Sequence, residues 1–169
     1  MPFDPRIYGE AVAAILALDG NGERLMPLVQ SGCSSADARA RLQSSSASTL
    51  FPQARAPEAA LAGLYLYFGC WEEAHEIAQD INTSDGSYWH GIVHRQEPDA
   101  GNAAYWFRQV GSHPIFPALA KIAGLPRWDP FHFVQQCENA EPGALELQRA
   151  EWQLLFDFCA AKNARSASS

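Results

Sequence analysis

Apolar residues recur at helical spacing through almost every segment of the chain, and no segment alternates with the two-residue rhythm of a strand. Tyr8 to Asp19 is an alanine-rich amphipathic run that ends at Asp19-Gly20-Asn21-Gly22, a strong turn signal. Glu23 to Gln30 reads as a second short helix, with Pro27 near its first turn. Ser34 or Ser35 then caps a helix through Leu42. The polar run 44–49 that follows reads as a loop or mobile connector.

From Ala56 onward the pattern is clearer. Pro57-Glu58 puts a ring and a carboxylate where the unpaired amides of a helix start favour them. Ala59 to Phe68 is apolar almost all round and is expected to be the most buried helix. Gly69 breaks it, and Trp71 to Ile81 follows with Trp71, Ala74, Ile77, Ala78 and Ile81 on one face. Further helices are predicted for Gly86 to Gln96, Gly101 to Val110, Ile115 to Ala123, Phe131 to Asn139 and Ala144 to about Ala161. Consecutive helices joined by tight Gly, Pro and Asp turns predict an all-α fold of stacked antiparallel hairpins. The expected organisation is a single domain over 1–161 and a frayed small-residue tail over 162–169.

Composition narrows the function classes. With 47% apolar and 18% charged residues the chain is not intrinsically disordered. Twelve Lys and Arg against 19 Asp and Glu leave a formal charge of -7. That balance argues against a nucleic-acid partner, which needs a basic face, and against attachment to an anionic membrane. No run approaches the roughly 18 apolar residues needed to span a bilayer. Cys33, Cys70, Cys137 and Cys159 are scattered without CxxC spacing, and Met1 to Pro5 lacks the start of a signal peptide. Four reduced thiols in a cytoplasmic protein are therefore expected.

Asp99, Ala103, Trp106 and Ala118 fall, without a gap, on positions of the Sel1-like repeat, a relative of the tetratricopeptide repeat, and Phe107 stands for its Tyr. Residues 99–118 thus resemble that family, with Asn102 in place of Lys and Val110-Gly111 in place of Ala-Ala. Leu61 to Ala78 is a looser match to a tetratricopeptide unit, through Gly63, Tyr67, Gly69 and Ala74. The resemblance implies helical hairpins and an interaction module of unstated specificity. Tyr88 to Asp99 also resembles a stretch found in uncharacterised bacterial and fungal proteins, which carries no function.

The charge is unevenly spread. Glu58, Glu72, Glu73, Glu76 and Asp80 lie between Pro57 and Ile81 with no Lys or Arg among them. Between Thr83 and Trp128 the balance reverses, and Arg95, Arg108, Lys121 and Arg127 accompany His90, His94 and His113 and Trp89, Trp106 and Trp128. Stacking surfaces beside cationic donors suit a protein partner or a small anionic ligand. Trp89, His90, His94, Arg95, Tyr105, Arg108 and His113 are the candidate ligand-binding residues. The alternative is that these aromatic residues build core.

His90 and His94 are spaced i, i+4, one helical turn apart on one face, and Glu97 follows one turn on. Two imidazoles and a carboxylate suit a transition metal such as Zn, Ni or Fe. His75 or His113 would complete the set, whether for binding or for catalysis. On a helical wheel Tyr88, Trp89, Ile92 and Val93 form the apolar stripe and His94 points away from its centre, so the pair is expected to be exposed unless another helix or a partner chain covers that face. Pro98 is expected to hold Glu97 extended and end the helix, and Asp99 to cap the next one or pair with Glu97 as acid and base. Arg95 is expected to form a surface pair with Glu97 or Asp99, and Arg108 to stack on Tyr105 or hold an anion. Cys70 with His75 offers a thiolate pair, although a packed Cys70 fits its apolar face better. His132 reads as a core or boundary residue. No GxSxG elbow, phosphate loop or GxGxxG is present.

Overall fold

Polar side chains before the helices set where five of the ten α-helices among the described residues begin. Ser35, Ser46, Thr83, Asp99 and Asp129 each accept a hydrogen bond from an amide of the first turn that has no partner within the helix. The computed structural model describes residues 3–163. After a 3-10 turn at Pro5–Tyr8 come α1 (Glu10–Leu16), a second 3-10 turn (Gly20–Gly22), α2 (Ala36–Gln43) and α3 (Ala47–Leu50). The remainder is α4 (Pro57–Tyr67), α5 (Trp71–Gln79), α6 (Ser84–Gln96), α7 (Ala100–Val110), α8 (Phe116–Ala123), α9 (Pro130–Glu138) and α10 (Ala144–Ala160). The described residues contain no strand, only an isolated bridge between Ala54 and Lys162. Among the described residues no helix is long and apolar enough to cross a membrane.

The all-α expectation holds, and α4 is the buried helix that its apolar sequence predicts: Ala59 to Tyr67 are all buried. α4 packs on α5, α5 on α6 and α6 on α7, while α10 lies against α4 and α8. Close approach depends on glycine at two points. A Cβ on Gly63 would stand 2.7 Å from the Trp89 ring, and one on Gly91 would stand 2.9 Å from Phe107. The main core joins Tyr67, Phe68, Tyr88, Trp89, Trp152 and Phe156, and a smaller cluster surrounds Leu119, Trp128 and Phe133. Each large apolar side chain so buried contributes roughly 1.5–3 kcal/mol relative to exposure.

Several expectations are corrected. Residues 23–30 are irregular rather than helical: Pro27 lacks an amide hydrogen, and the Gln148 side chain of α10 takes the Met26 carbonyl at 2.9 Å. The 44–49 connector is partly helical, because the Ser46 hydroxyl accepts from the Thr49 amide and Ala47 and Leu50 are buried. Lys162 and Asn163 are not frayed. The Lys162 bridge and an Asn163 amide donating to the Gln53 carbonyl (2.8 Å) hold them, whereas residues 164–169 of the expected tail, and Met1 and Pro2, lie outside the described residues.

The cysteines are corrected as well. Cys33 and Cys70 are joined by a disulfide, and only Cys137 and Cys159 are free, both buried. The loop carrying Cys33 is laid across the α4–α5 turn, where the Ser34 amide donates to the Phe68 carbonyl at 2.7 Å. Gly69, at φ 73°, brings its Cα so close to the Gly32 carbonyl that a Cβ would stand 2.6 Å from that oxygen. A pairing across 37 positions has no local signature for a sequence reading to find.

Candidate metal centre between α5, α6 and α7

His90 and His94 lie one turn apart on α6, with ring centroids 4.8 Å apart and planes within 25°. His75, on the facing side of α5, meets both rings edge-on at 4.7 and 5.1 Å. The Nε2 atoms of His75 and His90 are 3.2 Å apart. One potential ligand nitrogen from each of the three histidines lies within 4.8 Å of the other two. His75 is half-buried and the other two are buried.

Two tryptophans wall the cluster. Trp71, the first residue of α5, stacks on His75 at 5.1 Å and 7°, and its indole N–H donates to the Val93 carbonyl of α6 at 2.7 Å. Trp106 of α7 lies against the other side of His90. His94 Nδ1 is 3.0 Å from Glu97 Oε1, and the Asn102 amide nitrogen is 3.3 Å from both nitrogens of the same ring. An Nδ1–H donated to Glu97 makes Nε2 the acceptor nitrogen of His94, and the Asn102 side-chain NH2 at 3.3 Å has to give up that lone pair before it can bind an ion. His90 Nδ1 is buried without a partner.

The electrostatics favour neutral rings at His90 and His75. Burial first, then His94 and His75 beside it, push the His90 pKa down to about 4. Burial, followed by His94, lowers that of His75. A neutral imidazole is the form that ligates a metal, so near neutral pH no proton has to leave His75 or His90 before an ion binds.

Of the residues proposed from sequence, His90, His94 and Glu97 come together, and His75 is the one that completes the set. His94 points away from the apolar stripe but is covered by neighbouring helices. Only 6% of it is accessible, because α6 is enclosed by α5, α7 and α10 rather than packed on one side. Glu97 is not extended: φ −60° and ψ −30° keep it helical, its amide hydrogen is shared between the Val93 and His94 carbonyls, and the Glu97–Pro98 peptide is cis. Asp99 caps α7, accepting from the Asn102 amide at 3.1 Å.

The remaining candidates lie elsewhere. Trp89 is fully buried against α4. His113 is 2.8 Å from Asp85 and accepts from the Ile115 amide, so it closes a separate buried pair. Arg95 makes no surface bridge. It is 3% exposed and holds Glu151 of α10 at 2.7 Å, with Gln148 at 3.1 Å and the Phe133 ring beneath it. Tyr105 and Arg108 are exposed; Tyr105 touches Trp106 edge-on, and Arg108 enters none of the cluster's bonds or ring contacts. Cys70, in its disulfide, is no thiolate partner for His75. His132 is exposed, contrary to the core or boundary reading. Trp71, Trp106 and Asn102 as neighbours of the histidine cluster are not legible in the sequence: the i, i+4 spacings of Trp71 with His75 and of Asn102 with Trp106 are the available signs, and no spacing along α7 points to a histidine. No known family model, curated protein or solved structure matches this chain.

Proposed function

We propose that this helical protein binds a divalent transition metal through His75, His90 and His94. The convergence of three imidazoles from two helices, with their nitrogens within 4.8 Å, carries the reading. Imidazole ligands at about 2.0–2.1 Å in a tetrahedral shell stand about 3.3 Å apart. The 3.2 Å between His75 and His90 matches that separation. Glu97 orients the His94 ring, as carboxylates behind metal-bound histidines do, and a fourth position is left for water or a substrate. An ion there would act as a Lewis acid or hold a bound water, and the protein's part is to orient the three rings and wall them with Trp71 and Trp106.

The test is elemental analysis of full-length protein prepared without chelator or affinity tag, followed by zinc, nickel and ferrous titration. One ion per chain, lost in His75→Ala and His94→Ala variants that keep their helical signal, is the expected result. No uptake, or uptake unchanged in both variants, overturns the proposal.

A second reading keeps the helical interaction module implied by the Sel1-like resemblance, in a cytoplasmic protein. The observation in its favour is an open cleft of about 930 Å³ between α8 and the start of α9, lined by Phe116, Leu125, Trp128 and Phe131 with Lys121 and Arg127 at hand. Apolar walls with two cations suit a carboxylate-bearing ligand or an acidic peptide. A melting temperature that stays still with such ligands counts against it.

A further inference from the structure

A second group of metal-binding side chains lies outside the histidine cluster. Cys33, Cys70 and Glu73 each bring one ligand atom within 4.8 Å of the others. They line a small cleft of about 210 Å³ together with Gly32, Arg39 and Trp71. Cys70 immediately precedes α5, and Glu73 is in its first turn. Cys33 is half-buried and Cys70 is buried, so Cys33 is the sulfur an external thiol reaches. Arg39 grips Glu73 with two bonds of 2.8 and 3.0 Å.

We infer that reduction of the Cys33–Cys70 disulfide opens a second metal site, in which both cysteine thiolates and the Glu73 carboxylate take a thiophilic d10 cation such as zinc or cadmium. The reductant is a thiol. Its thiolate attacks Cys33 Sγ, the Cys33–Cys70 bond breaks, and Cys70 leaves as a thiolate. A second thiol then releases Cys33, so that two thiols become one disulfide and the protein gains two cysteine thiols. The ion then binds both sulfurs as thiolates and displaces whatever thiol protons remain.

The surroundings favour thiolates. Cys70 sits at the positive end of the α5 dipole, and the Arg39 guanidinium stands close by on Glu73. A tetrahedral ion with sulfur at about 2.3 Å spans about 3.8 Å between sulfurs. Side-chain rotation reaches that span, because the two Cα atoms are 4.5 Å apart. Two thiolates and a carboxylate select soft and borderline cations. The centre of imidazoles a turn further along α5 has different donors, so the two sites separate in experiment.

The test compares cadmium uptake by the full-length chain in its disulfide form and after reduction with a phosphine. Reduction is expected to add one cadmium per chain, a thiolate-to-cadmium absorption in the near ultraviolet, and release of up to two protons per added ion, fewer where a cysteine is already ionised. Cys33→Ser, at a half-buried position, should lose the added ion and its absorption while keeping the uptake due to the histidines. Glu73→Gln should keep the absorption and weaken the added ion about tenfold or more. Equal uptake in the two forms overturns the inference, as does an added ion that survives Cys33→Ser. Unchanged affinity in Glu73→Gln overturns the assignment of the third ligand. Loss of uptake in His75→Ala with the added ion intact would reject neither, since it reports on the other centre and is the result expected if both sites exist.

Discussion

Trp106 lies flat on His90, with ring centroids 3.8 Å apart and planes within 17°. The indole keeps water off one face of the imidazole, and burial is the largest cause of the low His90 pKa. Trp106→Ala should therefore raise the His90 titration midpoint from about 4 toward the ordinary histidine value near 6.5. Ring-proton NMR across pH 3.5 to 7.5 reads it directly, and an unmoved midpoint would mean that the neighbouring histidines hold it down instead.

Acid should weaken the metal-free fold before its carboxylates titrate. The folded pKa of His90 lies below the unfolded value, so between them the unfolded chain binds the extra proton. The stability concerned is fully present above about pH 6.5 and is lost as pH falls toward 4, at a limiting slope of about 1.4 kcal/mol per pH unit for one proton. Urea midpoints at pH 7, 6 and 5 should fall in step, and His90→Gln should flatten that fall.

Glu97→Gln removes the charge behind His94 while keeping an oxygen acceptor. Replacement of such a partner typically weakens a metal site by about 10- to 100-fold. Zinc affinity should fall in that range with the melting curve of the ion-free protein almost unchanged, since Glu97 is only half-buried.

The pair of Arg95 and Glu151 makes the opposite kind of prediction. Both are buried, and Tyr88 donates to the same carboxylate at 2.9 Å. Arg95→Ala strands a buried carboxylate and should cost about 3–5 kcal/mol in denaturant unfolding. Arg95→Leu combined with Glu151→Leu leaves no stranded charge and should recover much of that loss.

Two glycines offer a matched comparison. Gly91→Ala drives a methyl into the Phe107 ring, within 2.9 Å, and should cost about 1–3 kcal/mol. Gly101→Ala on α7 meets only Asp99 Oδ1 at 3.8 Å and should be neutral or stabilising by up to about 1 kcal/mol. Thermal unfolding of both variants checks the pair.

What was legible in the sequence was local. The caps at Ser35 and Asp99, the proline at the start of α4 and the glycine that ends it act within a few residues, and each marked its helix correctly. The i, i+4 spacing of His90 and His94 also survived folding, because a helix keeps that face together whatever surrounds it. What failed depended on distant partners. A wheel assumes one apolar side, whereas α6 meets neighbours all round, so His94 went inward. Arg95 found its acid 56 positions away rather than two or four, and Cys33 found Cys70 across 37. In neither case does spacing along the chain hint at the partner.

The enclosure of α6 has one further consequence. The His90 and His94 rings and the Arg95 guanidinium are on the same short rod, so the rod cannot slide or turn without disturbing the buried charge behind it. On the proposed metal reading, adjustment to different ions would fall to His75, the half-buried member of the cluster on the neighbouring helix. Discrimination among metals would be set by how far α5 can yield, and tolerance of mutation by how little α6 can.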